Sequence, residues 1–182
     1  MSQRNAAVRV SFDIDDTLVC GPATPTEQSV PIWRRRQYPE PLRRGTRALT
    51  FALVERGCPI GIHTSSHRPR PYLAGWFSAI GIPLDGVVNL CHHETIVGMR
   101  GPSKCPPAFG IHLHIDDSHG VAMEGAAHGF NVVVVSPEDT EWGKRVLDAV
   151  DHAIGPRVTM PRRTAFTRAF GGLLQPVTTP SA

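Results

Sequence analysis

Apolar and polar residues alternate from Val8 to Asp15: Val8, Val10, Phe12 and Ile14 against Arg9, Ser11, Asp13 and Asp15. A period of two with β-branched and aromatic members predicts a first strand, and in an extended segment Asp13 and Asp15 project from one face. Residues 19–41 contain Pro22, Pro25, Pro31, Pro39 and Pro41, which forbid a long helix and predict an irregular excursion or a short hairpin. A helix is expected over residues 42–56, with Leu49, Ala52, Leu53 and Arg56 at helical spacing and Gly57 as its stop. The run Cys58 to His63 reads as a second strand that ends in Thr64-Ser65-Ser66.

Tyr72, Leu73, Trp76, Phe77 and Ile80 form a buried helical stripe closed by Gly81. Short strands are predicted at residues 86–89 and 111–115, the latter running into Asp116-Asp117-Ser118. Residues 131–135, with four consecutive valines, suit a strand buried on both faces. A last helix is read with Ser136 as cap, Pro137 at its first position and Asp139 at the capping-box site, and Gly155-Pro156 ends it. The order of strands and helices predicts an α/β, three-layer Rossmann-like domain with a mainly parallel five-stranded sheet, whose ligands sit at the carboxyl ends of the strands.

With 182 residues the chain is about one domain long, and 41% apolar residues provide a core for it. The division expected is a catalytic domain over residues 1–155 and a basic, partly ordered tail over 156–182. No apolar stretch approaches the roughly 20 residues of a membrane span. No export segment is read at the N-terminus, so a cytoplasmic place and no membrane partner are expected. Cys20, Cys58, Cys91 and Cys105 are too scattered for a disulfide framework and are expected to be reduced.

The formal net charge of +3 changes little, but its distribution matters. Arg34, Arg35, Arg36, Arg43, Arg44 and Arg47 crowd one short stretch whose only acid is Glu40, and the sole lysines are Lys104 and Lys144. Arg34, Arg35 and Arg36 lie on the proline-rich excursion, where they form either a solvated face or guanidinium groups that orient an anionic substrate. Trp33 and Tyr38 flank them as stacking or packing groups.

Asp13 and Asp15, Thr64 and Ser65, and Asp116 and Asp117 all fall at strand ends. Each aspartate alone commonly caps the turn after its strand. Two paired sets brought to one crevice would repel unless a cation sat among them, and an all-oxygen donor set favours Mg²⁺.

The segment Phe12-Asp13-Ile14-Asp15-Asp16-Thr17-Leu18 resembles the first signature, D-x-D-x-T-L, of the haloacid dehalogenase-like (HAD) hydrolases. Ile60 to Thr64 resembles the second signature, Lys104 is placed like the third, and Leu113 to Asp117 resembles the fourth. The resemblance implies phosphoryl transfer through an aspartyl-phosphate, with Asp13 as nucleophile and Asp15 as general acid and base. It further implies that Thr64, aided by Ser65, holds phosphoryl oxygens and that Lys104 neutralises Asp13 and the phosphate. Mg²⁺ would be held by Asp13, the Asp15 carbonyl and Asp116, with Asp117 in support.

An acid two places after the nucleophile matches phosphatases rather than dehalogenases. Asp16 stands where many members have Gly. Neither interval between signatures holds a large cap domain, so the site is expected to be open to an unhindered phosphomonoester, such as a phosphoprotein or a nucleic-acid end. Between Lys104 and Asp116 no room is left for a helix. A receiver module, the closest rival, places its Lys last, whereas Lys104 precedes the final acidic pair. A non-catalytic nucleic-acid-binding or regulatory domain using the arginine clusters is the alternative. Cys91, His92, His93 and Cys105 are of zinc-ligating type, but their spacing matches no common pattern. His63 is expected to touch substrate or pack beside the sheet, and His112, His114 and His119 to surround the acidic pair.

Overall fold

The structure is a computed structural model that describes residues 7–27 and 30–155. The tail expected at 156–182 lies outside the described residues. Five parallel strands form one sheet: β1 (Val10–Phe12), β4 (Ile60–His63), β5 (Gly86–Val88), β6 (Leu113–Asp116) and β7 (Asn131–Val134), in the spatial order β5-β4-β1-β6-β7. The predicted α/β class, five strands and parallel sheet are all present. Each strand is shorter than its apolar run because pairing stops where the chain turns toward the loops; Phe12 still pairs with Ile62 and Ile115 on either side.

The order fixes where a site can form. After β1 the chain builds outward to β4 and β5, then returns across the sheet to β6 and β7, so the order reverses beside β1. Loops on the two sides of that switch point diverge and leave a crevice at the strands' carboxyl ends. Asp13 follows β1, Thr64 follows β4, and Asp116 ends β6.

The proline-rich excursion contains a two-stranded antiparallel hairpin, β2 (Thr26–Glu27) with β3 (Leu42–Arg43), and a 3-10 turn over Ile32–Arg34. The helix expected at 42–56 is α1 (Thr46–Glu55), because Leu42 and Arg43 are taken by the hairpin. Then come α2 (Arg70–Ala79), α3 (Leu90–Val97), α4 (His119–His128) and α5 (Trp142–Ile154). Helices α3 and α4 escaped the sequence pattern: each buries few side chains, so neither carries a wide apolar stripe. Ser118, whose side chain accepts from the backbone N–H groups of Gly120 and Val121, was nevertheless a legible cap for α4.

The expected start of the last helix is corrected. Ser136 closes a local turn by accepting from the Glu138 N–H, and Asp139 accepts from the Glu141 N–H and from Arg145. Helix α5 begins only at Trp142. Between Lys104 and β6 the chain fits a 3-10 turn over Pro106–Phe109 but no α-helix.

One sheet face is apolar: Val10, Phe12, Ile60, Ile62 and Ile115 join Leu49 and Leu53 of α1, Leu73, Trp76 and Phe77 of α2, and Val146 and Val150 of α5 in one buried cluster. The alternating positions Ser11, His63 and His114 are fully buried toward the other face. There the His63 ring packs on His93 of α3, on Phe109 and on His114. Close approach on that side requires a glycine: a Cβ on Gly125 of α4 would lie 2.7 Å from the Phe130 carbonyl oxygen.

Candidate active site

The buried Lys104 ammonium donates to Asp13 Oδ1 at 2.6 Å and to the His63 carbonyl at 2.9 Å. Asp13 is itself held in the sheet's extension by its N–H on the Ile115 carbonyl. Burial raises the Asp13 pKa, the attraction of Lys104 offsets part of that rise, and the nearby Asp116 adds to it. A carboxylate and its counter-cation are thus brought together from 91 residues apart.

Asp116 is buried at the end of β6. Its Oδ1 accepts from the Ser118 N–H at 2.9 Å and its Oδ2 pairs with His114 Nε2 at 3.0 Å. A carboxylate only accepts, so Nε2 carries a proton toward Asp116, while Nδ1 lies 2.8 Å from the Ser11 hydroxyl. Burial pushes the Asp116 pKa up, but these hydrogen bonds win and hold it below the usual carboxylate value. Asp117 is half-buried, accepts from the Thr17 hydroxyl at 3.3 Å, and has its pKa raised by burial and by Asp116 and Asp13.

Thr64 is buried; its N–H bonds the Val88 carbonyl and its Oγ1 accepts from the Ser66 N–H at 3.1 Å, while Ser65 is exposed beside it. Asp15 stands apart from Asp13. At the rim, with its side chain 53% exposed, it receives two bonds of 2.8 Å from Arg68. Asp13 inside and Asp15 at the mouth follow from a turn after Ile14, where the Leu18 and Val19 N–H groups both reach the Ile14 carbonyl. In that turn Asp16 has φ +56°, the left-handed conformation, which is the physical reason a Gly suits this position.

The chain is similar to a crystal structure described as a HAD-superfamily hydrolase, subfamily IA, variant 1, from Geobacter sulfurreducens, at 14% identity and a TM-score of 0.52, over 79% of this chain and 100% of that one. The two chains share a fold. No family model and no curated protein sequence matches the chain. On this HAD-like fold the described residues hold no inserted cap domain: β1 and β4 are separated by the hairpin, the 3-10 turn and α1, and β5 and β6 by α3 and a second 3-10 turn.

Arg68 was not picked out from the sequence. Besides Asp15 it bonds Glu40 at 3.0 Å, which ties the excursion to the site mouth, and the hydrogen bonds to Asp15 raise its pKa further. The only legible signal was its position four residues beyond the Thr64 strand end. Arg43, counted with the basic cluster, is instead buried; its Nη2 donates to the carbonyls of Ser136 and Asp139, and its guanidinium lies 4.6 Å from the Trp142 ring centre. Arg34, Arg35 and Arg36 are exposed and make no ion pair among the described residues.

The histidines behind the site are structural. His63 is buried and neutral, its pKa lowered to about 2 by burial and then by His114 and Lys104. His93 Nε2 donates to the Pro102 carbonyl, so its Nδ1 accepts from His63 Nε2 at 3.2 Å. His112 accepts the Arg9 N–H through Nδ1. Cys20, Cys58, Cys91 and Cys105 form no disulfide among the described residues.

No three His, Cys, Asp or Glu side chains among the described residues close on one point as an all-side-chain metal cage would. Mg²⁺ does not need such a cage: one or two carboxylates with substrate phosphate and water suffice. The oxygen donors at Asp13 and Asp116, whose mutual repulsion adds to the Asp13 shift, fit a hard divalent cation. A cavity of about 700 Å³ opens elsewhere, between Thr24, Arg43, Leu49 and the start of α5, and no sequence-predicted site residue lines it. No helix among the described residues is long and apolar enough to cross a membrane.

Proposed function

We propose that this chain is a capless HAD-like phosphatase, a Mg²⁺-dependent phosphomonoester hydrolase that works through an aspartyl-phosphate on Asp13. The observation that carries this reading is the buried Lys104–Asp13 pair at the sheet's switch point, with Asp116 beside it. Lys104 occupies Oδ1, leaving the other Asp13 oxygen to attack phosphorus. Its positive charge also lets one anion approach another.

Asp15 protonates the departing alcohol oxygen; after the alcohol leaves, the same carboxylate removes a proton from the water that cleaves the acyl phosphate. Its pairing with Arg68 suits the second half, and the first half requires Arg68 to yield. The Thr64 hydroxyl and the adjacent backbone orient phosphoryl oxygens. Mg²⁺, held by Asp13, the Asp15 carbonyl and Asp116 with Asp117 in support, would supply neutralisation of phosphoryl charge. A cytoplasmic place belongs to the same reading.

The test is hydrolysis of an aryl phosphate. Wild-type protein with Mg²⁺ is expected to turn over, and Asp13→Asn to lose turnover while keeping its circular dichroism spectrum. Wild-type turnover that survives excess EDTA, or activity retained in Asp13→Asn, overturns the proposal.

A further inference from the structure

The most exposed aromatic side chain of the described residues sits in an ordered element. The turn over Ile32–Arg34 is closed by the Arg34 N–H on the Pro31 carbonyl and continues with the Gln37 and Tyr38 N–H groups on the Arg34 carbonyl. It is pinned on both sides by core residues, Val30 and Tyr38, the latter packed on Tyr72. Ile32 and Trp33 nevertheless stay 71% and 79% exposed, directly before the unpaired Arg34, Arg35 and Arg36.

The same segment reaches the site. Glu40 bonds Arg68, and Arg68 bonds Asp15. Three residues separate Arg36 from Glu40, a span of at most about 14 Å. An aromatic face and three guanidinium groups therefore stand within reach of a carboxylate site that no cap domain among the described residues covers.

We infer that residues 32–36 are a docking strip for single-stranded nucleic acid, with a base stacked on Trp33 and backbone phosphates on Arg34, Arg35 and Arg36, so that a terminal phosphate is delivered to Asp13. Stacking on an exposed ring together with cationic backbone tracking is how single strands are held without sequence preference. Charge complementarity selects a polyanion, and one ring with three cations offers little apolar area to a lipid surface. This inference names the substrate class for the proposed phosphatase and rests on that reading for the delivery step, not for the binding.

The experiment uses the full chain in EDTA and a 5′-phosphorylated oligothymidylate of about twelve nucleotides with a 3′ fluorophore. Fluorescence anisotropy is expected to show salt-sensitive binding. Trp33→Ala weakens it at least about fivefold, and the triple change of Arg34, Arg35 and Arg36 to Ala flattens the slope of log affinity against log salt by about 2. Because Trp76 and Trp142 are buried, the oligonucleotide quenches mainly Trp33 emission, and Trp33→Ala removes that quenching.

Equal affinity across wild type and variants overturns the inference. So does preferential binding to an acidic phosphopeptide, or binding to phosphatidylserine vesicles that the same variants abolish while the oligonucleotide does not bind. The two proposals fail separately: aryl phosphate turnover without variant-sensitive oligonucleotide binding sinks the strip alone, and variant-sensitive binding without any phosphate hydrolysis sinks the phosphatase alone.

Discussion

Lys104 Nζ and Asp13 Oδ1 lie 2.6 Å apart with side chains 3% and 11% exposed, a nearly dry ion pair built from the residue that follows the first strand and a loop 91 residues later. Breaking such a pair from one side strands a charge in the interior, which costs about 3–5 kcal/mol. Lys104→Met is therefore expected to lower the urea midpoint strongly in metal-free buffer. Adding Asp13→Asn to the same chain should recover most of that loss, because the stranded charge is gone. A double variant no more stable than Lys104→Met would refute this account of the pair.

His63 gives the protein a defined acid sensitivity. Neutral in the fold with a pKa near 2 but titrating at 6.5 when unfolded, it contributes stability that is complete above about pH 6.5 and is lost as pH falls. The slope for one proton is about 1.4 kcal/mol per pH unit. Asp13, with its pKa raised above 3.8, works in the opposite sense and loses stability as pH rises through its folded value. Comparing His63→Leu with wild type isolates the histidine: urea midpoints between pH 4.5 and 6.5 should rise less steeply in the variant, and parallel curves would show that His63 does not supply the effect.

Arg68 orients Asp15 at the mouth of the site. With Asp15 half exposed, the pair contributes no more than about 1 kcal/mol of stability. Arg68→Ala is expected to leave the melting temperature within a few degrees of wild type yet reduce kcat for an aryl phosphate by about tenfold, a typical share of general acid–base catalysis lost with misorientation. Arg68→Lys keeps the charge but not the two-pronged fork, so it should recover only part of the rate. Full activity in Arg68→Ala would mean that Asp15 needs no such partner.

Asp16 adopts φ +56°, a conformation that costs a side chain bearing a branched Cβ about 1–2 kcal/mol. Asp16→Gly should match or slightly exceed wild-type stability, and Asp16→Val should fall below it by that amount in denaturant titrations. Equal stability of the two variants would show that the turn relaxes.

Much of this protein was legible in one dimension. Alternation from Val8 to Asp15 and the stripe from Tyr72 to Ile80 carry their own periods, because burial of one face is imprinted locally. The valine run marked a strand, but β7 lies at the sheet edge, so Val132, Val133 and Val134 are half-buried rather than buried on both faces. Asp13, Thr64 and Asp116 were readable as residue types at strand ends, and Lys104 through the family resemblance. Helices α3 and α4 were not, since they bury too little to leave a stripe.

Pairings were decided only in three dimensions. That Arg43 turns inward onto carbonyls after β7 while Arg34, Arg35 and Arg36 stay in water, that Arg68 rather than any of these holds Asp15, and that His114 steadies Asp116 depend on which loops the sheet order brings to one edge. Local sequence specifies the period of an element and the chemistry at its end. The partners across the crevice are set by strand order, a nonlocal choice made by packing the whole core.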